Sequence, residues 1–281
     1  MTAATVDRVV VSASGPVTSR ACYALGDGRH VWVERPAQDG PYGRRASFAT
    51  DVAAASEALR HRAPGWVAPV VAYDGVALVH APVPPSALAV SLLGGGDAAA
   101  FATVGRMLAE WHALDVPAPE TSVMHADLAV AARGTAWLPP GSPVARAAGA
   151  ALAAGGRVAC HGRWSVGSLL VAGGGVVAVL AGADVWRGPR EHDLGYLLGE
   201  LVEHAAVGGA SRWSVGARAL LAAYAVPVDP DLLVAHTALR LVDHLLRLSW
   251  RDESAAASHA SLLLAGAAPL LDELHAIGSA P

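Results

Sequence analysis

Apolar residues gather first in three short runs, 9–12, 21–25 and 29–34, and these predict strands. Gly26-Asp27-Gly28, between the last two, is a strong signal for a tight hairpin turn. Over 47–62 the spacing becomes that of a helix, with alanines and Leu59 on its inner face. Two more strands are predicted over 66–73 and 76–81, around an Asp74-Gly75 turn. Pro82-Val83-Pro84-Pro85 then stiffens the chain, since each proline fixes its φ. After Gly94-Gly95-Gly96 the pattern is helical: 97–114 with Asp97 as N-cap, then 194–205, 213–224, 230–247 and 255–274. One further hairpin, 169–183, interrupts this half; Gly173-Gly174-Gly175 splits its apolar run, which therefore does not read as a membrane span.

Three strands, a helix, two strands, a stiff connection and a helical remainder predict an α+β chain of two lobes. The small lobe, residues 1–83, has five strands and one main helix, and the larger lobe, 84–281, is mostly helical.

Composition removes several classes of function. With 281 residues, 53% of them apolar and 16% charged, the chain has ample material for a core. A net charge of -4 without clustered basic residues predicts no nucleic-acid partner and no anionic membrane partner. Cys22 and Cys160 read as buried thiols of a reducing compartment, and the first residues do not read as a secretory signal, so a cytoplasmic location is expected. The 12 histidines are scattered without ligand spacing, which gives no metal site by motif. Ser165 lacks the preceding glycine of a nucleophile elbow. The sequence contains neither lysine nor asparagine, and its richness in Ala, Gly, Val and Arg is that of a GC-rich, actinobacterial-type genome.

The densest motif is His161-Gly162-Arg163-Trp164-Ser165-Val166-Gly167-Ser168, followed by the glycine-turn hairpin and Ala181. Downstream stand Arg187-Gly188-Pro189-Arg190-Glu191-His192-Asp193-Leu194 and, upstream, Leu108-Ala109-Glu110-Trp111-His112-Ala113-Leu114. Together these resemble the aminoglycoside-phosphotransferase-like, protein-kinase-like family. In that family the loop reads His-Gly-Asp, four residues, Asn, and the hairpin ends in Ile-Asp-Trp. The resemblance implies a kinase-like fold with Pro82 to Pro85 as the hinge and 160–184 as the catalytic region. It also implies that Arg163, Ser168 and Ala181 stand where the catalytic Asp, the metal-holding Asn and the metal-holding Asp belong. Asp193 matches a structural aspartate that orients the loop from behind. The hydroxyl-positioning and magnesium-holding groups of phosphoryl transfer are thus replaced, and a degenerate member, a pseudokinase, is expected.

Val31-Trp32-Val33-Glu34-Arg35-Pro36 matches the strand that carries the phosphate-holding cation. This alignment puts Glu34 at the cation position; a one-residue bulge would put Arg35 there instead. Asp51 and Glu57 lie near the slot of the helix acid, and Gly15-Pro16 is poor material for a phosphate-covering loop, because proline has no N–H. An arginine at position 163 cannot take a proton; it can hold an anion, or pair with Asp184 or Asp193.

The ligand-cleft candidates are therefore Glu34, Arg35, His161, Arg163, Ser168 and Asp184, with no cofactor and no metal. The function this implies is a catalytically dead phosphotransferase-like protein. It would bind another protein of its biosynthetic pathway, or a precursor peptide, as a scaffold or allosteric partner. Two alternatives stay open. One is a reused cleft with His161, His112 or Asp127 as base, the last within the decoy His125-Ala126-Asp127-Leu128. The other is a residual phosphotransferase of a small hydroxylated metabolite.

Overall fold

The computed structural model describes residues 6–14, 18–36, 50–73, 77–120, 129, 137–139, 141–181, 184–250 and 252–280. Strands β1 (Val6–Ser14), β2 (Thr18–Leu25) and β3 (His30–Pro36) form an antiparallel meander. The partners Ala24↔His30 and Arg20↔Glu34 are symmetric about Asp27, the middle of the glycine-flanked turn. Helix α1 (Thr50–Arg62) packs on β4 (Val67–Tyr73), which pairs with β5 (Leu78–His80). The Asp74-Gly75 turn and Gly15-Pro16 lie outside the described residues.

The five strands of the small lobe are part of a larger sheet. They run β1-β2-β3-β5-β4, and β4 then pairs in parallel with β9 (Gly175–Ala181), one arm of the glycine-turn hairpin. The sheet continues through β8 (Leu169–Ala172) to β6 (Ala87–Leu88), making eight strands across both lobes. Val67, Ala68 and Pro69 lie opposite Val179, Leu180 and Ala181, so the lobes are joined by backbone pairing as well as by the chain.

The proline-rich segment 82–86 is tied to β3. Val83 and His30 exchange two backbone hydrogen bonds of 2.8 and 2.9 Å, and Ser86 N–H donates to His30 Nδ1 at 3.1 Å. A 3-10 turn, Val90–Gly94, leads into α2 (Ala98–His112), whose N-cap Asp97 accepts from Ala100 N–H at 3.0 Å. The rest of the large lobe comprises α3 (Pro143–Ala153), α4 (Glu191–Gly208), α5 (Trp213–Tyr224), α6 (Pro230–Ser249) and α7 (Glu253–Gly278). A two-stranded ladder of β7 (Val158–Cys160) and β10 (Trp186–Gly188) brackets the motif-bearing loop.

Helix α7 is long and apolar enough to cross a membrane by composition. Its buried positions Ala256, Ala260, Leu263, Ala267, Leu271, Leu274 and Ile277 recur every three or four residues and pack against α6 and α4. That stripe is the signature of a helix lying on a core.

Candidate functional site: the crevice between the lobes

The loop from His161 to Ser168 leaves β7 through Gly162, which has φ +85°. A Cβ there would collide with the Asp184 backbone, so the position requires glycine on two counts. Asp193, in the first turn of α4 and fully buried, holds this bend. Its carboxylate accepts the His161 N–H at 2.7 Å and the Gly162 N–H at 2.9 Å, and His112 Nε2 lies 3.0 Å away. Burial pushes the Asp193 carboxyl up, but the hydrogen bond and charge of His112, with His192 and His161, outweigh it and hold the group below its ordinary range. It is a charged structural anchor.

His161 is committed at both nitrogens. Nε2 donates to the Leu180 carbonyl at 2.7 Å, and Nδ1 accepts the Arg163 N–H at 3.3 Å. Its ring meets Trp111 and Trp164 edge to face, each at 5.4 Å between centroids. Burial lowers its pKa, so the imidazole is neutral. His112, similarly, sits between Asp193 and the Tyr224 hydroxyl, 2.7 Å from Nδ1. Neither ring presents a nitrogen able to take a proton from a ligand in the crevice, and Asp127 lies outside the described residues.

Of the three positions singled out in the motif, Arg163 and Ser168 are engaged within the chain and Ala181 has no polar group. Arg163 Nε lies 2.9 Å from Asp184 Oδ2, so of the two acids considered for it, Asp184 is the partner. Asp193 is unavailable because its oxygens already hold the bend. Ser168, 1% exposed, accepts the Ser165 N–H at 3.0 Å, and its own proton goes to the carbonyl of Arg163 or Ser165, each at 2.9 Å. Its hydroxyl closes a local turn and does not face a ligand. Ala181 contributes a buried methyl group.

Glu34 is buried and faces inward; Arg35, the next residue, is exposed on the other face of β3. Glu34 finds its partner in Arg20, directly opposite on β2, with Nε and Nη2 each 2.8 Å from Oε2. Arg20 Nη1 continues across the crevice to the Gly167 carbonyl at 2.7 Å. Burial raises the Glu34 pKa, but Arg20, His80 and Arg163 together bring it below the ordinary value. Sequence reasoning passed over Arg20, although the hairpin turn centred on Asp27 already places it opposite Glu34. Glu57 is exposed on α1 and pairs with Arg60 and His61 on its own helix, away from this cluster. The Asp51 side chain lies outside the described residues.

Toward the hinge the crevice is apolar. Trp32, fully buried, packs in one cluster with Cys22 and Ala68 of the small lobe, Val83 of the hinge, and Leu170, Ala178 and Leu180 of the large lobe. Its indole lies between the lobes. Along the hinge, Pro82, Pro84 and Pro85 have no N–H, while those of Val83 and Ser86 are bound to His30. A purine edge laid against residues 82–86 finds no free backbone donor.

Among solved structures, the chain is similar to a choline/ethanolamine kinase family protein from Mesorhizobium loti. The TM-score is 0.64 and the identity 16%, over 96% of this chain and 92% of that one. An aminoglycoside 2′-phosphotransferase-IIIa in its GDP complex gives a TM-score of 0.61 at 15% identity, over 95% and 94%. A macrolide 2′-phosphotransferase from Brachybacterium faecium gives 0.53 at 17%, over 95% and 94%. No family model and no curated protein matches the sequence. At these identities the likeness is one of fold, and it spans nearly the whole chain. The protein has the two-lobed, kinase-like fold of the aminoglycoside and macrolide phosphotransferases.

Proposed function

We propose that this protein is a non-catalytic phosphotransferase-like protein that works by binding. One observation carries the reading: each polar group placed to hold phosphate or magnesium is bound to another group of the same chain. Arg20 is held by Glu34, Arg163 by Asp184, and Ser168 by its own loop. Phosphoryl transfer is almost wholly positioning and charge stabilisation, so groups already committed within the chain have little to offer it. Such a protein acts through differential affinity, shifting a partner among states that the partner already visits. Its partner is another protein of the same cytoplasmic biosynthetic pathway, or that pathway's precursor peptide.

The test is thermal denaturation with and without millimolar Mg-ATP. A ligand stabilises by RT ln(1 + [L]/Kd), so binding weaker than millimolar moves Tm by less than about 1 °C. A magnesium-dependent rise of several degrees overturns the proposal.

A further inference from the structure

Away from the crevice, three helices of the large lobe bring together Glu203 of α4, His244 of α6 and His259 of α7. We propose that these three residues form a divalent transition-metal site of the two-histidine, one-carboxylate type, with zinc as the best-suited ion.

The spacing of the three groups suits the ligands of one ion. His244 Nε2 and His259 Nε2 each lie 3.2 Å from the same oxygen, Glu203 Oε1, and all three atoms fall within 4.8 Å of one another. Two ligands at 2.0–2.1 Å from one tetrahedral ion stand ~3.4 Å apart, close to the observed spacing. The two rings are tilted by 41° with centroids 5.4 Å apart, so both ε-nitrogens converge without stacking. The carboxylate is divided between two tasks. Oε2 lies 3.5 Å from Arg240 Nη1, which leaves Oε1 to the histidines. An outer partner of this kind fixes a ligating carboxylate in one orientation.

The set is open on one side. A cavity of about 300 Å³ is lined by Glu203, His244 and His259 together with Val166, Glu200 and Arg240. Three protein ligands with a fourth position facing a cavity is the arrangement of zinc sites that accept water or a small oxygen- or nitrogen-donor ligand. The site is also tied to the degenerate loop. The Val166 N–H donates to Glu200 Oε2 at 2.8 Å, and Arg240 bridges Glu200 to Glu203 at 3.4 and 3.5 Å. Because the ligands come from positions 203, 244 and 259, no spacing motif announces them in the sequence.

A second cluster, His112, Cys160 and Asp193, also has ligating atoms within 4.8 Å of one another, and it serves as the built-in rival. The experiment is titration of chelator-treated full-length protein with Zn²⁺ by calorimetry and with Co²⁺ by visible absorption. The expected result is one ion per chain, with the d–d bands of four-coordinate cobalt and no thiolate-to-cobalt charge-transfer band. His259→Ala, on α7, should abolish the bands, whereas His275→Ala, on the exposed histidine paired with Asp231, should leave them unchanged. X-ray absorption of the zinc-loaded wild type reads the ligand set without any substitution. Absence of binding at ~0.1 mM Zn²⁺, a sulfur ligand, or bands that persist in folded His259→Ala each overturn the site.

Discussion

Arg20 and Glu34 stand opposite each other on β2 and β3 and close a 2.8 Å ion pair inside the crevice. The acid faces inward from β3, and the cation that neutralises it comes from the neighbouring strand. The Glu34 side chain is 4% exposed and that of Arg20 15%, so water screens the pair only weakly. Glu34→Gln keeps an acceptor oxygen but leaves the Arg20 charge uncompensated, and should cost about 2–3 kcal/mol, somewhat less than is usual for a fully buried pair. Replacing both residues with apolar ones of similar size should recover most of that loss. Urea denaturation of the single and double variants checks it, and a loss under ~0.5 kcal/mol for Glu34→Gln removes the pair from the account of the crevice.

Arg163→Asp puts an aspartate where the family resemblance expects one, and on the proposed non-catalytic reading no phosphoryl transfer should follow. Ser168 remains turned into its own loop, and Ala181 still has no ligand atom. The new carboxylate would instead face Asp184, whose partner it displaced. The variant should lose ~1–2 kcal/mol, a modest figure because both side chains are partly exposed. A radiolabelled phosphotransfer assay and a denaturation curve read the two effects. Measurable transfer would place the metal ligands somewhere other than 168 and 181.

Stability should fall with acid in two stages. His80, His161 and His192 are buried, and burial lowers each pKa below the ordinary value despite the opposing pull of nearby carboxylates. Between those folded values and about 6.5 the unfolded chain binds more protons, so their contribution is complete above about pH 6.5 and declines below it. Glu34 and Asp193, also lowered, add a second loss that begins below about pH 4. Urea midpoints at pH 7.5, 5.5 and 4.5 should decrease in that order. A flat profile from 7.5 to 5.5 would mean that the histidines are not buried in the neutral form.

Local chemistry explains which parts were readable from sequence. The glycine-flanked Asp27 turn, the prolines from 82 to 85 and the Asp97 cap each act within a few residues, so they announce their elements directly. Strands β7 and β10 have three residues each and exist because they pair with one another across the loop, which no local window contains. Helix α3 was missed although Ser142 caps it and Pro143 begins it; its alanine-rich face carries little contrast between apolar and polar positions. What residues 163, 168 and 181 touch depended on tertiary packing, which the motif around them does not reach. Asp184 rather than Asp193 holds Arg163 because Asp193 is saturated by the backbone of 161 and 162.

Trp32 tests whether the protein's own indole fills the apolar half of the crevice. It is fully buried among residues of both lobes and the hinge, so Trp32→Ala removes contacts that no other side chain can replace without bringing the lobes together. Truncation of a buried aromatic costs about 3–5 kcal/mol, with the high end expected where the walls cannot collapse. The parallel pairing of β4 with β9 fixes those walls, which favours a persistent cavity. Free indole at millimolar concentration should therefore raise the Tm of Trp32→Ala and leave that of the wild type unchanged. Mg-ATP should stabilise neither, because the Arg20–Glu34 pair still occupies the polar half and the hinge still has no free N–H. An equal response of both proteins to indole would mean that the crevice is open in the wild type and that Trp32 is an ordinary core residue.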